Sequence, residues 1–241
     1  MFHIASTRCA VKPGKVIIFV IFCLIAVHTA MADDVNTYVS NTCAGCHALT
    51  EDSVTKADVS ERMHRKGPPL YYAGDKFRQA WLEHWLVDPV RIRPGGAFPP
   101  DHTVVTDDGD VIDGKTLTRH VAVPGDRAKA VAGYLMGLHA GHPPALEGPY
   151  TPKSVSKMLG SMDFNKFKGC SACHRDEADT GGQSGPELYT AWNRMQAEFI
   201  VSYIKDPVAW DPHTMMPNRH LKEKEIHKLV DYLKLIGEAG Q

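Results

Sequence analysis

Two pairs of cysteines, each followed directly by a histidine, are the residues of this chain best suited to specific chemistry. They occur at Cys43–Ala44–Gly45–Cys46–His47 and at Cys170–Ser171–Ala172–Cys173–His174. Two thiols at this spacing can bond to the vinyl groups of a porphyrin, and the adjacent imidazole can then bind the iron. A chain of this composition contains about 0.008 such patterns by chance, so two matches predict two covalently bound haem c groups.

A zinc site is the main alternative use of paired cysteines. A zinc ribbon needs no histidine after each pair, however, and the two pairs here lie 127 positions apart. That separation is large for one compact zinc site. We therefore favour haem over zinc.

The first 32 residues are typical of a secretory signal peptide. Three basic residues precede an apolar run at 16–27, and the cleavage pattern Ala30–Met31–Ala32 follows. Twelve apolar residues are few for a membrane span. We predict that the mature chain begins at Asp33 in the periplasm. An uncleaved anchor is the alternative, and membrane contact is otherwise expected only through a partner complex.

Cleavage would change both the cysteine count and the charge. Four of the six cysteines would remain, all within the two motifs, so none is left for a disulfide or for an axial bond to iron. The lost segment holds three basic residues and no acidic one, which changes the formal net charge from −1 to −4. The sequence contains no run of basic residues, so nucleic acid is not expected as a partner. A protein with a basic docking face is the expected partner.

Apolar residues at helical spacing predict helices before and after each motif. The predicted helices lie at 35–39, 77–86, 126–138, 155–159, 195–204 and 226–236. Two of them are expected to end at Asp88–Pro89 and Asp206–Pro207, because proline disfavours helix in the residue before it. Asp126 is expected to cap its helix. The polar stretch 48–66 predicts a loop, and 104–112 predicts a small hairpin.

An internal repeat aligns 67–102 with 185–220 without a gap, at an offset of 118. The matched pairs include Gly67–Pro68 with Gly185–Pro186, Leu70–Tyr71 with Leu188–Tyr189, Asp88–Pro89 with Asp206–Pro207, Pro99 with Pro217 and His102 with His220. Each copy follows one cysteine motif. The pattern indicates one fold present twice, with a haem in each copy.

With these motifs in place, each half is similar to a class I cytochrome c domain, and the whole chain resembles the diheme cytochromes c of bacteria. The resemblance implies an all-α fold of two tandem cytochrome c-like domains, each wrapped around one haem. Its expected parts are a signal peptide at 1–32, a first domain at 33–140, a linker at 141–153 and a second domain at 154–241.

The resemblance also implies roles for single residues. The expected covalent attachment points are Cys43, Cys46, Cys170 and Cys173, and the expected proximal iron ligands are His47 and His174. The carbonyl groups of Pro68 and Pro186 are expected to accept the ring N–H of these histidines, which fixes their orientation.

The sixth iron ligand is expected to differ between the halves. In the second half, Met216 precedes Pro217 where the family places its ligating methionine, and Met215 is the alternative. In the first half, Phe98 stands at that position and cannot bind iron. His102 is the preferred replacement, and an iron without a sixth ligand is the alternative. Three further histidines, His64, His84 and His120, are weaker options.

These features predict an electron carrier. It is expected to join a dehydrogenase or quinol-oxidising complex to an oxidase or reductase. The alternative is a diheme enzyme, or a subunit of a complex, whose open first iron acts on peroxide, a nitrogen oxide or a sulfur compound. We favour the carrier, because the sequence shows no obvious acid–base pair for such a reaction.

Overall fold

The computed structural model describes residues 34–240, and the predicted signal peptide lies outside them. Helix is the main regular structure of the described chain, as predicted. Its α-helices are 34–42 (α1), Glu51–Thr55 (α2), Val59–Met63 (α3), Ala73–Lys76 (α4), Gln79–Val87 (α5), Gly125–Met136 (α6), Lys157–Met162 (α7), Ala191–Arg194 (α8), Ala197–Lys205 (α9), Pro207–Trp210 (α10) and Glu223–Ala239 (α11). Within this range, no helix is long and apolar enough to cross a membrane.

Two small antiparallel hairpins and three short helical turns complete the described chain. The hairpins pair Thr103–Thr106 (β1) with Gly109–Ile112 (β2), and Arg175–Glu177 (β3) with Thr180–Gly181 (β4). The turns are the 3-10 segments Pro99–His102 and Cys170–Ala172 and the π-helical segment Asp163–Phe167. The first hairpin confirms the prediction made for 104–112.

The first half is built around the contact between α5 and α6. Buried apolar side chains from α1, from the turn before α4 and from both of these helices form its core. They include Val39, Leu70, Phe77, Leu82, Leu86, Val131 and Leu135. The turn after the first motif therefore packs on the same core as the helix before it.

The second half is built around α11, which packs against α7, α8 and α9. Its buried face carries Ile226, Leu229, Val230, Tyr232, Leu233 and Ile236. Gly160 lets α7 cross α11 closely, because a methyl group there would lie 2.4 Å from Tyr232 Cδ2. The helix before the second motif is thus fixed on the last helix of the chain.

The internal repeat recurs in the structure. Helices α4 and α8 begin and end at positions that differ by 118, and so do α5 and α9. The residues after α5 and α9, Asp88 and Asp206, also have similar backbone angles (φ −131°, ψ 78° and φ −149°, ψ 86°). Both helices end there because proline follows, as predicted.

The two halves meet through residues that are counterparts in this repeat. Phe77 and Met195 form an isolated antiparallel bridge. The flanking backbone bonds run from Arg78 N to Arg194 O (3.0 Å) and from Gln196 N to Lys76 O (2.9 Å). The second bond is the first one transposed by 118 positions. This local twofold relationship is the kind found between subunits of a symmetric dimer.

Two side chains extend the same symmetry. Arg78 Nε donates to Trp192 O (3.0 Å) and Met195 O (2.9 Å), and Gln196 Nε2 donates to Gly74 O (2.6 Å) and Phe77 O (3.1 Å). Donors and acceptors are again counterparts at the offset of 118. The interface therefore uses the same surface of each half.

The halves also share a core and an ion pair. Tyr72 of the first half is 1% exposed, and its ring centroid lies 5.8 Å from Phe199 and 5.3 Å from Trp210 of the second half. The guanidinium of Arg65 binds both carboxylate oxygens of Asp211, at 2.5 and 3.0 Å. These contacts hold the two halves in one fixed arrangement.

Two local expectations need correction. The stretch 48–66 is not a plain loop, because it contains α2 and α3. Helix α3 begins with a capping box in which Asp58 Oδ1 accepts from Glu61 N (2.8 Å) and Glu61 Oε2 accepts from Asp58 N (2.9 Å). Such caps stabilise a short polar helix without an apolar period. Asp126 does not cap α6, because the helix begins one residue earlier, after Pro124.

The segment 141–153, which we expected to be a linker between domains, makes contacts with the second half. It has no regular structure, yet it is fastened to α11. Tyr150 is 7% exposed, and its hydroxyl donates to Asp231 Oδ1 at 2.6 Å. The same oxygen accepts from Lys153 N at 2.8 Å. The segment therefore packs as part of the second half.

Candidate haem sites

The second cysteine motif lies in a short helical turn that leads away from the α7 segment. Cys170–Ala172 forms a 3-10 turn, and Gly169 before it has a left-handed backbone with φ 65°. His174 N donates to Cys170 O at 3.0 Å, which closes the turn. Cys170 is half-buried and Cys173 is exposed. Both thiols and the imidazole therefore come from one compact turn.

The ring of His174 is oriented by the Gly-Pro turn that follows the motif. Its Nδ1 lies 2.8 Å from Pro186 O, so this nitrogen donates its proton to the carbonyl. A methyl group on Gly185 would lie 2.6 Å from His174 Cε1, so only glycine allows this approach. The turn itself is held by the bond from Leu188 N to Arg175 O, at 2.7 Å.

The first motif has the same arrangement. His47 Nδ1 lies 2.7 Å from Pro68 O, and a methyl group on Gly67 would lie 2.4 Å from His47 Cε1. The bond from Leu70 N to Ala48 O, at 2.8 Å, corresponds to the Leu188–Arg175 bond of the second half. In both halves the nitrogen not held by a carbonyl is Nε2. An imidazole bound in this way is prepared to ligate a metal through Nε2.

Comparison with known families finds a match in the second half. Residues 164–236 match the family model of cytochrome c. This match supports a cytochrome c domain in this part of the chain, with covalently bound haem c and a role in electron transfer. No curated protein and no solved structure matches the chain.

The residues of the second motif have protonation states that suit haem. Burial lowers the pKa of His174, although the Pro186 carbonyl opposes that effect, and the charges of Arg93 and Arg194 lower the pKa further. A neutral imidazole is the form that binds metal. Burial also raises the pKa of Cys170 to about 11. The thiol therefore keeps its proton at neutral pH.

The first motif shows the same trend. Burial lowers the pKa of His47, and the nearby charges of His120 and Lys76 lower it further, against the opposing effect of the Pro68 carbonyl. Burial raises the pKa of Cys43. The donor set and its environment therefore fit a haem in this half as well.

The loop expected to carry the sixth ligand of the second iron is anchored by a threonine. Met216 N donates to Thr214 Oγ1 at 3.2 Å, and that hydroxyl also hydrogen-bonds to Tyr203 OH at 3.0 Å. Met216 is half-buried, whereas the side chain of Met215 is 52% exposed. The less exposed methionine is the one that the sequence favours.

In the first half, His102 is held by neighbouring loop residues. Its Nδ1 lies 2.9 Å from Thr116 Oγ1, and its ring lies against Gly96, where a methyl group would be 2.8 Å from His102 Nε2. Phe98, the counterpart of Met216, is half-buried at the start of the 3-10 turn Pro99–His102.

Of the three weaker histidine options, His120 lies beside His47, the expected proximal ligand. Its ring centroid is 6.0 Å from that of His47. The other two bond within their own helical segments, His64 Nδ1 to Ser60 O and His84 Nδ1 to Ala80 O. The position of His120 could not be read from the sequence, because it depends on how the chain returns after the first hairpin.

A group of cations where the halves meet was also missed. The ammonium of Lys76 lies 5.6, 5.0 and 5.6 Å from the ring centroids of Tyr72, Phe77 and Phe199. Burial among these rings, with Arg93 and Arg194 nearby, lowers its pKa to about 7. Its only sequence signal is the repeat itself, in which Lys76 and Arg194 are counterparts.

Proposed function

We propose that the protein is a periplasmic diheme c-type cytochrome that carries electrons between redox proteins, and that each half is a class I cytochrome c-like domain. The observation that carries the proposal is the shared orientation of the two motif histidines. In each half, a Gly-Pro turn approaches the imidazole, and the proline carbonyl accepts from its Nδ1, at 2.7 Å in the first half and 2.8 Å in the second. The offset of 118, which relates α4 to α8 and α5 to α9, supports the same reading.

Each covalently bound haem supplies a one-electron couple at its iron. The side chains set the direction of transfer. A thioether ligand such as Met216 raises the reduction potential, and the first half offers no methionine at the matching position. The difference in ligands therefore favours electron flow from the first half to the second, from a dehydrogenase or quinol-oxidising complex toward an oxidase or reductase.

The interface between the halves supports transfer within one chain. The Phe77–Met195 bridge, the shared core around Tyr72 and the Arg65–Asp211 pair fix the relative position of the two motifs. A rigid arrangement makes internal transfer independent of domain diffusion. The proline carbonyls beside the two motifs orient the imidazoles.

The mass of the denatured, exported protein tests the proposal. We expect the chain from Asp33 onward plus two haem masses. The double variant Cys43→Ser/Cys46→Ser should lose one haem mass, and Cys170→Ser/Cys173→Ser should lose the other. A wild-type mass with one haem would reduce the protein to a single-haem cytochrome c. Retention of residues 1–32 would contradict export as a cleaved protein.

A further inference from the structure

The segment that follows the first hairpin returns to the side of α5 that faces the first motif. Val123 is 3% exposed, and its N–H donates to Leu86 O at 2.7 Å, which ties the segment to the end of that helix. His120 lies three residues before this anchor. Its ring packs on Trp85, with the ring centroids 4.6 Å apart. The anchor and the indole together hold the imidazole beside the motif.

The distance between His120 and His47 fits a shared metal. Their ring centroids are 6.0 Å apart, with an angle of 50° between the ring planes. Metal–imidazole bonds are about 2 Å long, so two imidazoles on opposite sides of one metal ion have centroids about 6 Å apart. Rotation of either ring about its metal–nitrogen bond leaves the distance between the centroids unchanged. The observed angle is therefore compatible with such a pair.

The hydrogen bonds of the two rings point to the same nitrogen. His120 Nδ1 lies 2.8 Å from Val121 O, and His47 Nδ1 lies 2.7 Å from Pro68 O. Each Nδ1 therefore carries the proton, and each Nε2 keeps its lone pair. Carbonyl contacts of this kind are typical of metal-binding histidines. The two imidazoles thus present equivalent donor atoms.

The other side chains of this half are placed less well. The ring of His102 is held against Gly96 by Thr116. Met63 is 42% exposed at the end of α3, and Met136 packs against the core of the first half at the end of α6. Among the described residues, His120 is the one whose ring contacts the ring of His47.

We propose that His120 is the sixth ligand of the first haem iron, opposite His47. The first half then has two histidine ligands, the iron is closed to small molecules, and the site serves electron transfer and not substrate binding. This inference rests on the proposed diheme function, because it requires a haem on Cys43 and Cys46.

The test uses the full exported holoprotein and the variants His120→Ala, His120→Met and His102→Ala. In the reduced wild type, we expect both irons to be low-spin and neither to bind carbon monoxide. His120→Ala should keep two covalent haem masses, while about half of the haem becomes able to bind carbon monoxide. Added imidazole should restore the low-spin spectrum. His120→Met should add a second sulfur-to-iron absorption band and raise the lower of the two potentials. His102→Ala should match the wild type.

The outcomes separate the two proposals. A single haem mass in the wild type would overturn the diheme function, and the role of His120 with it. Two haem masses with carbon monoxide binding already present in the wild type would overturn only the role of His120 and favour the enzyme. Carbon monoxide binding gained by His102→Ala but not by His120→Ala would assign the ligand to His102.

Discussion

Phe77 and Met195 pair across the middle of the molecule, and each is the other's counterpart in the internal repeat. Residues that pair with their own counterparts lie on a local twofold axis. The hydrogen bonds of Arg78 and Gln196 obey the same relationship. The chain therefore resembles a symmetric dimer whose two subunits have been joined.

The shared core predicts that the halves unfold together. Tyr72→Ala removes a ring that is 1% exposed and contacts Phe199 and Trp210 of the other half. We expect it to lower the free energy of unfolding by about 3–5 kcal/mol, as is typical of large buried side chains. The control, Val105→Ala, alters a side chain that is 79% exposed and should change the stability little. Denaturant unfolding followed by tryptophan fluorescence and by haem absorption measures both. Two separate transitions in the wild type would contradict a common core.

The ion pair between Arg65 and Asp211 is expected to stabilise the contact between the two halves. Arg65→Ala leaves the carboxylate of Asp211, 6% exposed, without its cation. Breaking such a pair is costly because a charge stays buried. We expect Arg65→Ala to lower the free energy of unfolding by about 2–3 kcal/mol. This is less than is usual for a fully buried pair, because the Arg65 side chain is 21% exposed.

The matched control for that pair is Lys56→Ala, which breaks an ion pair with Asp52 whose side chains are 74% and 76% exposed. Exposed pairs contribute little, so this variant should stay within about 0.5 kcal/mol of the wild type. Arg65→Ala combined with Asp211→Asn should recover part of the loss, because the buried charge is removed. A double variant that loses the sum of both single effects would show that the two side chains are not coupled.

The parts of the fold that depend on local pattern could be predicted from the sequence. The ends of α5 and α9 follow from the prolines at 89 and 207, and the hairpin at 104–112 follows from its turn residues. The position of His120 was not predictable, because it depends on the anchor of Val123 on Leu86, a contact between distant elements. The twofold contact was hidden for the same reason. A repeat shows that two copies exist but not which of their faces meet.

Met216 is the predicted sixth ligand of the second haem, and its lower exposure favours it over Met215. Met216→Leu should abolish the sulfur-to-iron band of the oxidised protein and lower the higher of the two potentials, because the thioether is lost. Met215→Leu is the control and should keep the band, since that side chain is 52% exposed. Absorption spectra and redox titration of both variants decide the matter. Loss of the band in Met215→Leu alone would move the ligand by one residue.

Glu223, at the start of α11, is expected to make the stability of the fold depend on pH. Glu223 is 6% exposed. Its carboxylate binds Lys205 Nζ at 2.8 Å and accepts from Glu147 N at 3.1 Å. Burial alone would raise the pKa of Glu223, but these two partners outweigh it and lower the pKa below its ordinary value of 4.5. The ionised form is therefore favoured in the folded protein.

The direction of the effect follows from proton binding. Well above pH 4.5, Glu223 is ionised in the folded and unfolded chain, and its contribution is complete. As the pH falls below that value, the unfolded chain binds the proton first, and the contribution is lost. Glu223→Gln should cost about 1.5 kcal/mol at pH 7, a typical value for a hydrogen bond to a charged group, and less as the pH approaches 3. The control is Glu238→Gln on the same helix. Glu238 is half-exposed and pairs with Lys234, so this variant should cost little at either pH. Thermal melting of the three proteins from pH 3 to pH 7 measures the difference. A cost of Glu223→Gln that stays constant over this range would show that the side chain acts through packing and not through its charge.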